Sequence, residues 1–466
     1  MTVPSRLIWA LPFAAALSAC ADLAPTYVRP EPAVASAKDS GATSTRAGAA
    51  RDAADLGWRE FFTEPRLGGT IELALANNRD LRVALLNVQS ARAQYRIQDA
   101  ATGPTMTAGA AATRSGGTGF ASNNFSASAN LSAYELDLFG RVKNLNAAAL
   151  QSYLASDEAR RSVQISLVAA TANAWLNLAA DLEREQLTRQ TLASRRQSLT
   201  LDTRRHDLGA ITGLAMAQSQ SSVDSARVDL AALATQVAQD RHALELLLGA
   251  ALPDALTPAS QESLSAVSLL PELPAGVPSS VLQRRPDVLQ AEHQLQASTA
   301  NIGAARAALF PRIALTASAG TASTELSGLF KSSNGNWSFG PGLSVPIFDG
   351  GGNRANVEIA EVNRDIAVAQ YDKAVQTAFK EVRDALIERT MLTERLAAQA
   401  ALLASSERQL SLARAQFQSG RTGMLEVLDA ERSSYAAQQA LIALRLTEQN
   451  NRIALYKVLG GGWKEQ

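Results

Sequence analysis

The sequence predicts a mixed α and β membrane protein in which one pattern occurs twice. Two runs of about 65 residues, about Val142–His206 and Asn353–Gln418, contain neither proline nor glycine and read as very long helices. Each run ends in a glycine turn, at 207–213 or 418–423, and is followed by a return helix. Four further segments alternate apolar and polar residues with a period of two, the pattern of strands with one apolar face.

Composition narrows the class. The 466 residues carry 44 basic and 44 acidic side chains, so the net charge of zero lacks the basic excess of a nucleic-acid binder. Aromatics are only 5%, low for a large enzyme core, and much of the 46% hydrophobic fraction is alanine. Small side chains let long helices approach closely more than they fill a thick core.

The N-terminus reads as a targeting segment. Arg6 precedes an apolar stretch, Leu7–Leu17, and then Leu17-Ser18-Ala19-Cys20. Cys20 is the only cysteine, which excludes a disulfide framework and a thiolate metal cluster. Its place directly after Leu-Ser-Ala resembles a bacterial lipobox, in which the cysteine becomes the lipidated mature N-terminus. Ala21, rather than aspartate, follows it, which favours the outer membrane. No later stretch has about 18 uninterrupted apolar residues, so a membrane span must be a β-barrel.

The elements follow in order. Residues 1–19 are expected to be a lipoprotein signal peptide and 20–56 a lipid-anchored tether, since Ala21–Leu56 is rich in Ala, Pro and Ser without periodicity. Trp58-Arg59-Glu60-Phe61-Phe62 opens ordered structure, and Thr70–Thr102 reads as one helix ended by Gly103-Pro104. Its stripe of Leu81, Ala84, Val88, Ala91 and Tyr95 returns 207 residues later as Val288, Ala291, Leu295, Ser298 and Ile302, and Pro104 returns as Pro311. The return helices match at an offset of 211: Ala226 with Ala437, Leu230 with Leu441, Leu248 with Leu459. One pattern in two places argues for internal duplication. The first repeat is placed at 57–249 and the second at 278–460, with an inter-repeat linker at 250–277 and a tail at 461–466.

After each proline the period changes to two. Strands are expected at about 104–113 and 125–138, and at about 311–320 and 337–348. In the second, Phe125, Ala127, Ala129, Leu131 and Ala133 alternate with Ser126, Ser128, Asn130 and Ser132. Turn-rich loops, Arg114–Asn124 and Thr321–Asn336, separate the strands of each pair. Aromatics gather near strand ends, including Phe120, Phe139, Phe310, Phe330, Trp337 and Phe348, as in an outer-membrane barrel with a watery lumen. At 1.5 Å per residue each long helix spans about 100 Å. The two shorter helices of each half, stacked end to end, match that length. Four strands cannot close a barrel and open edges are not tolerated in lipid, so the chain must oligomerise through its strands. Two copies or three satisfy this arithmetic.

The tips hold the candidate site. The turn Ser419-Gly420-Arg421-Thr422-Gly423 is followed by Glu426 and Asp429, three residues apart on one helical face. By spacing alone such a pair also suits a solvated helix face. The matching positions of the first tip, Ala215 and Gln218, are not acidic.

Together these residues resemble the outer membrane factor family, the TolC-like channels of tripartite efflux systems, and in particular the NodT-like lipoprotein branch that serves RND-type pumps. The resemblance spans nearly the whole chain after the tether. Its markers are Trp58–Phe62, Asn78-Arg79-Asp80-Leu81-Arg82, Gln283-Arg284-Arg285-Pro286-Asp287-Val288, Ala305–Pro311, Val345–Gly351 and Gly420–Arg432. The family implies a homotrimer, a twelve-stranded barrel with four strands per protomer, and a periplasmic α-helical barrel closed at its tip. It implies a periplasmic adaptor (membrane fusion protein) and an inner-membrane RND-type transporter as partners. The motif match implies Asp429 in the main gating ring, Glu426 one turn nearer the opening, Leu425 at an apolar constriction and Arg432 as a tie between helices. Converging carboxylates repel one another and attract cations, so such a ring filters anions. Arg421, Arg432 and the group Arg204, Arg205 and His206 are the expected salt-bridge partners of a closed state. The turns marked by Gly209, Gly213, Gly420, Arg421 and Gly423 are the expected adaptor-docking tips.

No catalytic set emerges. His206, His242 and His293 lie on three separate helices without metal-ligand spacing, and no phosphate loop or nucleophile elbow occurs. No cofactor is expected beyond covalent lipid on Cys20. The expected function is passive conduction as the exit duct of an efflux pump in the outer membrane, extending into the periplasm. A duct for type I protein secretion and a non-conducting coiled-coil scaffold are the alternatives; the lipobox favours the first and the four amphipathic strands oppose the last. Cys20→Ser is expected to abolish incorporation of labelled palmitate and to weaken membrane retention; undiminished labelling would refute the lipobox reading.

Overall fold

The two long runs that lack proline and glycine are helical without a break. The computed structural model describes residues 21–30, 57–259 and 284–461. The signal segment 1–19, Cys20, residues 31–56 of the tether, 260–283 of the linker region, including Gln283, and 462–466 of the tail lie outside the described residues. The elements in order are α1 (Trp58–Phe61), α2 (Pro65–Asn77), α3 (Arg79–Ala100), β1 (Met106–Gly117), β2 (Phe120–Leu136), α4 (Arg141–Asp207) and α5 (Gly213–Leu248). A 3-10 turn at Asp254–Leu256 precedes α6 (Pro286–Ala307), β3 (Arg312–Ser323), β4 (Gly335–Ser344), α7 (Gly352–Gln418) and α8 (Met424–Val458). The helices α4 and α7 have 67 residues each.

The helix expected over Thr70–Thr102 is two helices. Asn78 separates them because its side-chain oxygen accepts from the Leu81 amide while its amide donates to the Leu247 carbonyl. An N-cap thus starts α3 in mid-pattern. The heptad stripe still faces inward: Leu81 is buried, and Ala84, Val88, Ala91 and Tyr95 are half-buried between exposed neighbours. In α6 the matching Val288, Ala291, Leu295 and Ile302 are buried. Among the described residues one helix, α4, has a window of membrane length and moderate mean hydropathy, interrupted by polar residues; 67% of it is buried within the protein, so it is core.

Two compact units share the chain, one formed by Met1–Ala33, Leu86–Glu158 and Leu289–Ala374, the other by Val34–Leu85, Ala159–Val288 and Val375–Gln466. Each unit draws residues from both of the repeats expected at 57–249 and 278–460.

The first unit contains a four-stranded antiparallel sheet in the order β1-β2-β3-β4. Trp337, Phe339 and Leu343 of β4 sit opposite Ala319, Ala317 and Ile313 of β3 on one apolar face. Ser318 and Ser338 share a hydrogen bond of 2.8 Å on the other face. From Ile313 to Ser323 the apolar face is about 25 Å tall at the usual strand rise and tilt, the height of an outer-membrane band. The expected loop Arg114–Asn124 is instead strand around a two-residue turn, Thr118-Gly119, with Gly117 opposite Phe120. Gly119, at φ +92°, permits that tight turn. The last strand ends at Ser344 rather than Phe348, since Pro346 has no amide to donate.

The alternation expected through Ala133 breaks. The pairing shifts between Leu131 and Tyr134, with Ala133 at φ +36°. This bulge reverses the phase of β2. Tyr134 and Leu136 then join the apolar face opposite Leu315 and Ile313, and Glu135 turns to the other face opposite Ala314. There Arg141 holds Glu135 by two bonds of 2.9 and 2.7 Å, and Arg312 reaches it at 2.7 Å. Without the extra residue the only carboxylate in the strands would face the apolar side.

The start of the expected tether is seated, not loose. The Ala21 amide donates to the Leu138 carbonyl, and Asp22 accepts from Lys143 at 2.8 Å and Asn144 at 2.9 Å. The bond from Lys143 chiefly, with that from Asn144, holds the Asp22 carboxyl down to about 2. Gly303 makes room, since a Cβ there would lie 2.7 Å from the Cβ of Ala24. Further on, Arg29 and Tyr27 donate to the buried Glu292.

In the second unit, Phe61 stacks on Tyr456 at 3.9 Å and Trp175 donates to the Leu256 carbonyl at 2.9 Å, so the described part of the linker packs on α4. A polar seam joins α4 to α8: Arg184 bonds Gln439 and Asp181, and Thr188 bonds Tyr435 at 2.8 Å. Asp240 of α5 lies against Asp181; one of its oxygens is buried without a hydrogen-bond donor. Burial pushes the Asp240 carboxyl up, Gln236 opposes this, and Asp181 adds to it.

Glu135→Ala would leave Arg141 and Arg312 facing each other unpaired. It is expected to cost about 1–3 kcal/mol and to lower the thermal midpoint of the purified protein; an unchanged midpoint would deny the triad a structural role. Asp240 gives a pH signature. A carboxyl raised above its unfolded value stabilises at low pH, and that contribution is lost as pH rises through the folded value. Asp240→Asn should therefore raise the thermal midpoint at pH 8 and leave it nearly unchanged at pH 4; a midpoint lowered at pH 8 would count against a raised Asp240 carboxyl.

Candidate tip and gate site

The second unit also holds both turns singled out in the sequence. Helix α4 ends at Asp207 and reverses at Gly209, φ +71°; the Gly209 amide donates to the His206 carbonyl and the Ala210 amide to the Arg205 carbonyl. Helix α7 ends at Gln418 in the same way: Gly420 has φ +71°, and the Gly420 and Arg421 amides donate to Phe417 and Gln416. Both are Schellman motifs, in which a left-handed residue satisfies the last helical carbonyls. Gly209 and Gly420 are glycine because a Cβ is costly at that φ.

The return helices start differently. The Thr212 hydroxyl accepts from the Ala215 amide and caps α5, which begins at Gly213. Helix α8 has Gly423 at its N-cap without a side-chain cap bond, and Glu426 lies in its first turn. A Glu426 oxygen folds back to 3.2 Å from a Cβ placed on Gly423. An acid here complements the positive end of the helix dipole.

Leu425, Glu426, Asp429 and Arg432 are all exposed, while Val427, Leu428 and Ala430 are buried. The four expected gate residues therefore share the outer face of α8. Above them that face carries Ser433, Ala436 and Ala440, small and exposed. Arg432 bonds Asp429 at 3.1 Å within the helix, and both side chains are 64% exposed. Exposed pairs of this kind contribute under about 1 kcal/mol and yield easily to competing partners. A wet carboxylate with one weak tie is suited to binding cations or a neighbouring chain.

The expected partners divide. Arg205 lies over the Phe417 ring at 5.2 Å and 3.9 Å from Asp202, so it joins the first turn to the end of α7. His206 approaches Asp207 at 3.9 Å. Neither contacts Glu426 or Asp429 among the described residues.

Sequence reasoning missed the contacts that hold the hairpins. Arg414 pairs with Glu431 at 2.8 Å across the second hairpin, and the Glu431 side chain is only 10% exposed. Ser219 donates to the buried Asp202 at 2.5 Å across the first. Arg195 covers the Tyr435 ring and donates to the Ser222 carbonyl. Hairpin register was the available signal: Arg414 and Glu431 stand at similar heights on either side of Gly420–Gly423.

A family model described as outer membrane efflux protein matches residues 70–250 and 277–461. The probable efflux pump outer membrane protein TtgC of Pseudomonas putida is 44% identical over 455 residues, 95% of this chain and 93% of its own length. The cation efflux system protein CusC of Escherichia coli is 43% identical over 465 residues, 98% of this chain and 99% of its own. Among solved structures, the open state of the Neisseria gonorrhoeae MtrE outer membrane channel superposes with a TM-score of 0.87 at 38% identity, covering 96% of this chain and 99% of that one.

Proposed function

Since this chain belongs to the outer membrane efflux protein family, we propose that it is the outer-membrane exit duct of a tripartite efflux pump, conducting small molecules passively to the outside. The sheet carries this reading. It has one apolar face of membrane height, an opposite face of serine, threonine and glycine, and two edge strands, β1 and β4. Edges left open in hydrocarbon would strand a row of amides and carbonyls, each at a cost of several kcal/mol.

A homotrimer supplies twelve strands, enough to close a barrel around a water-filled lumen. Exposed apolar side chains support contact between copies: Val83, Leu85 and Leu86 on α3, and Ile359, Val362 and Ile366 at helical spacing on α7. In the proposed assembly Cys20 carries the lipid, and Ala21, bonded to Leu138, holds it near the end of β2. The turns at Gly209–Gly213 and Gly420–Gly423 meet a periplasmic adaptor, which links the duct to an inner-membrane RND-type transporter. Energy comes from that transporter, and the duct itself only opens and closes.

The gate is assigned to Leu425, Glu426, Asp429 and Arg432. Three copies would bring three sets of carboxylates to one axis, where mutual repulsion and attraction for cations favour a cation-selective constriction. Glu426→Ala with Asp429→Ala is expected to raise single-channel conductance in planar bilayers several-fold and to weaken cation selectivity. Cells carrying the double variant should become more permeable to large antibiotics. Unaltered conductance and selectivity would remove the ring from the mechanism.

A further inference from the structure

The strands and their connecting turns carry few charges. Between Pro104 and Leu136 and between Pro311 and Ile347 the charged residues are Arg114, Glu135, Arg312, Glu325 and Lys331. They lie at the two ends of the sheet with an uncharged band between. At the end that joins the helices, Glu135, Arg141 and Arg312 satisfy one another. At the far end, Arg114 and Lys331 have no carboxylate partner among the described residues, and Glu325 pairs with neither.

Register places these bases. Arg114 is opposite Asn123 and continues the row of Met106, Ala108, Ala110 and Ala112, so it belongs to the apolar face. The loop between β3 and β4 folds onto the same face. Thr321 donates to the Leu329 carbonyl and the Glu325 amide donates to Ser323, and both Thr321 and Ser323 lie in the apolar row of β3. Leu329 is buried beneath the loop. Phe330 and Leu326 project from it, 83% and 65% exposed, with Trp337 at 80% just below. Aromatics over apolar surface, topped by unpaired bases, are arranged for an acyl layer capped by anions.

We propose that Arg114, Lys331 and Phe330 form a binding site for the phosphorylated glucosamine lipid of the outer leaflet, with Arg114 and Lys331 on its phosphates and Phe330, Leu326 and Trp337 among its acyl chains. This rests on the outer-membrane reading, which puts the turn end of the sheet outside. Charge complementarity selects the occupant. At the helix end one carboxylate, Glu135, already holds both Arg141 and Arg312; the end whose bases have no carboxylate suits a leaflet whose headgroups carry phosphate anions.

The test uses the full mature protein in detergent with bisphosphorylated lipid A, dephosphorylated lipid A or phosphatidylglycerol as probe, and bound lipid is read by native mass spectrometry. Wild type is expected to retain bisphosphorylated lipid A preferentially. At about five-fold per base, Arg114→Ala with Lys331→Ala should weaken retention about twenty-fold, and Arg114→Lys with Lys331→Arg should keep it. Equal retention by wild type and the alanine variant, or of the phosphorylated and dephosphorylated lipids, overturns the site, as does equal retention of phosphatidylglycerol. Conductance of the same preparations separates the two readings: a conducting protein without lipid preference loses only this site, and a non-conducting one loses the duct.

Discussion

A sheet with two unpaired edges is the constraint from which the rest follows. Strands β1 and β4 each present a row of amides and carbonyls with no strand partner among the described residues. In lipid that is untenable, so the proposed ring of copies is a hydrogen-bonding requirement before it is a functional one. The same demand explains the near absence of charge across the strands.

Glu135 shows how one local device serves that constraint. A single extra residue at Ser132-Ala133 reverses the phase of β2, which removes the carboxylate from the apolar face and delivers it to Arg141 and Arg312. The helices that leave the sheet are thereby tied to the strands that enter it. The strap after Cys20 acts at the same junction, through Ala21 on Leu138 and Asp22 on Lys143 and Asn144. The residue proposed for lipid attachment and the sheet thus lie within a few residues of this junction.

Within the second unit the two turns contrast stiffness with lability. Schellman turns, Arg414–Glu431, Ser219–Asp202 and the packed Tyr435 fix the hairpins themselves. The acidic face of α8 is tied only by Asp429–Arg432, an exposed pair. A gate needs that combination: rigid levers that keep their form, and a face whose ties can be exchanged between neighbouring chains at low cost.

Periodicity, proline and glycine by themselves pointed to the two long helices with their return helices, to four strands and to the glycine turns, because each is a local preference repeated along the chain. Motif resemblance located Leu425, Glu426, Asp429 and Arg432, and the exposed face they share follows from helical spacing. The tertiary structure alone decided the rest. Asn78 splits a continuous apolar pattern because its partner, the Leu247 carbonyl, is far away in sequence. The bulge at Ala133 depends on where Arg141 and Arg312 stand, and the folded-down loop on which face Thr321 and Ser323 occupy. Arg432 turned to Asp429 and Arg205 to Phe417, choices among several reachable partners that composition does not rank. The Asp429–Arg432 pair and the folded-down loop are local choices of side-chain geometry; the others depend on contacts between segments far apart in the chain, which local pattern does not encode.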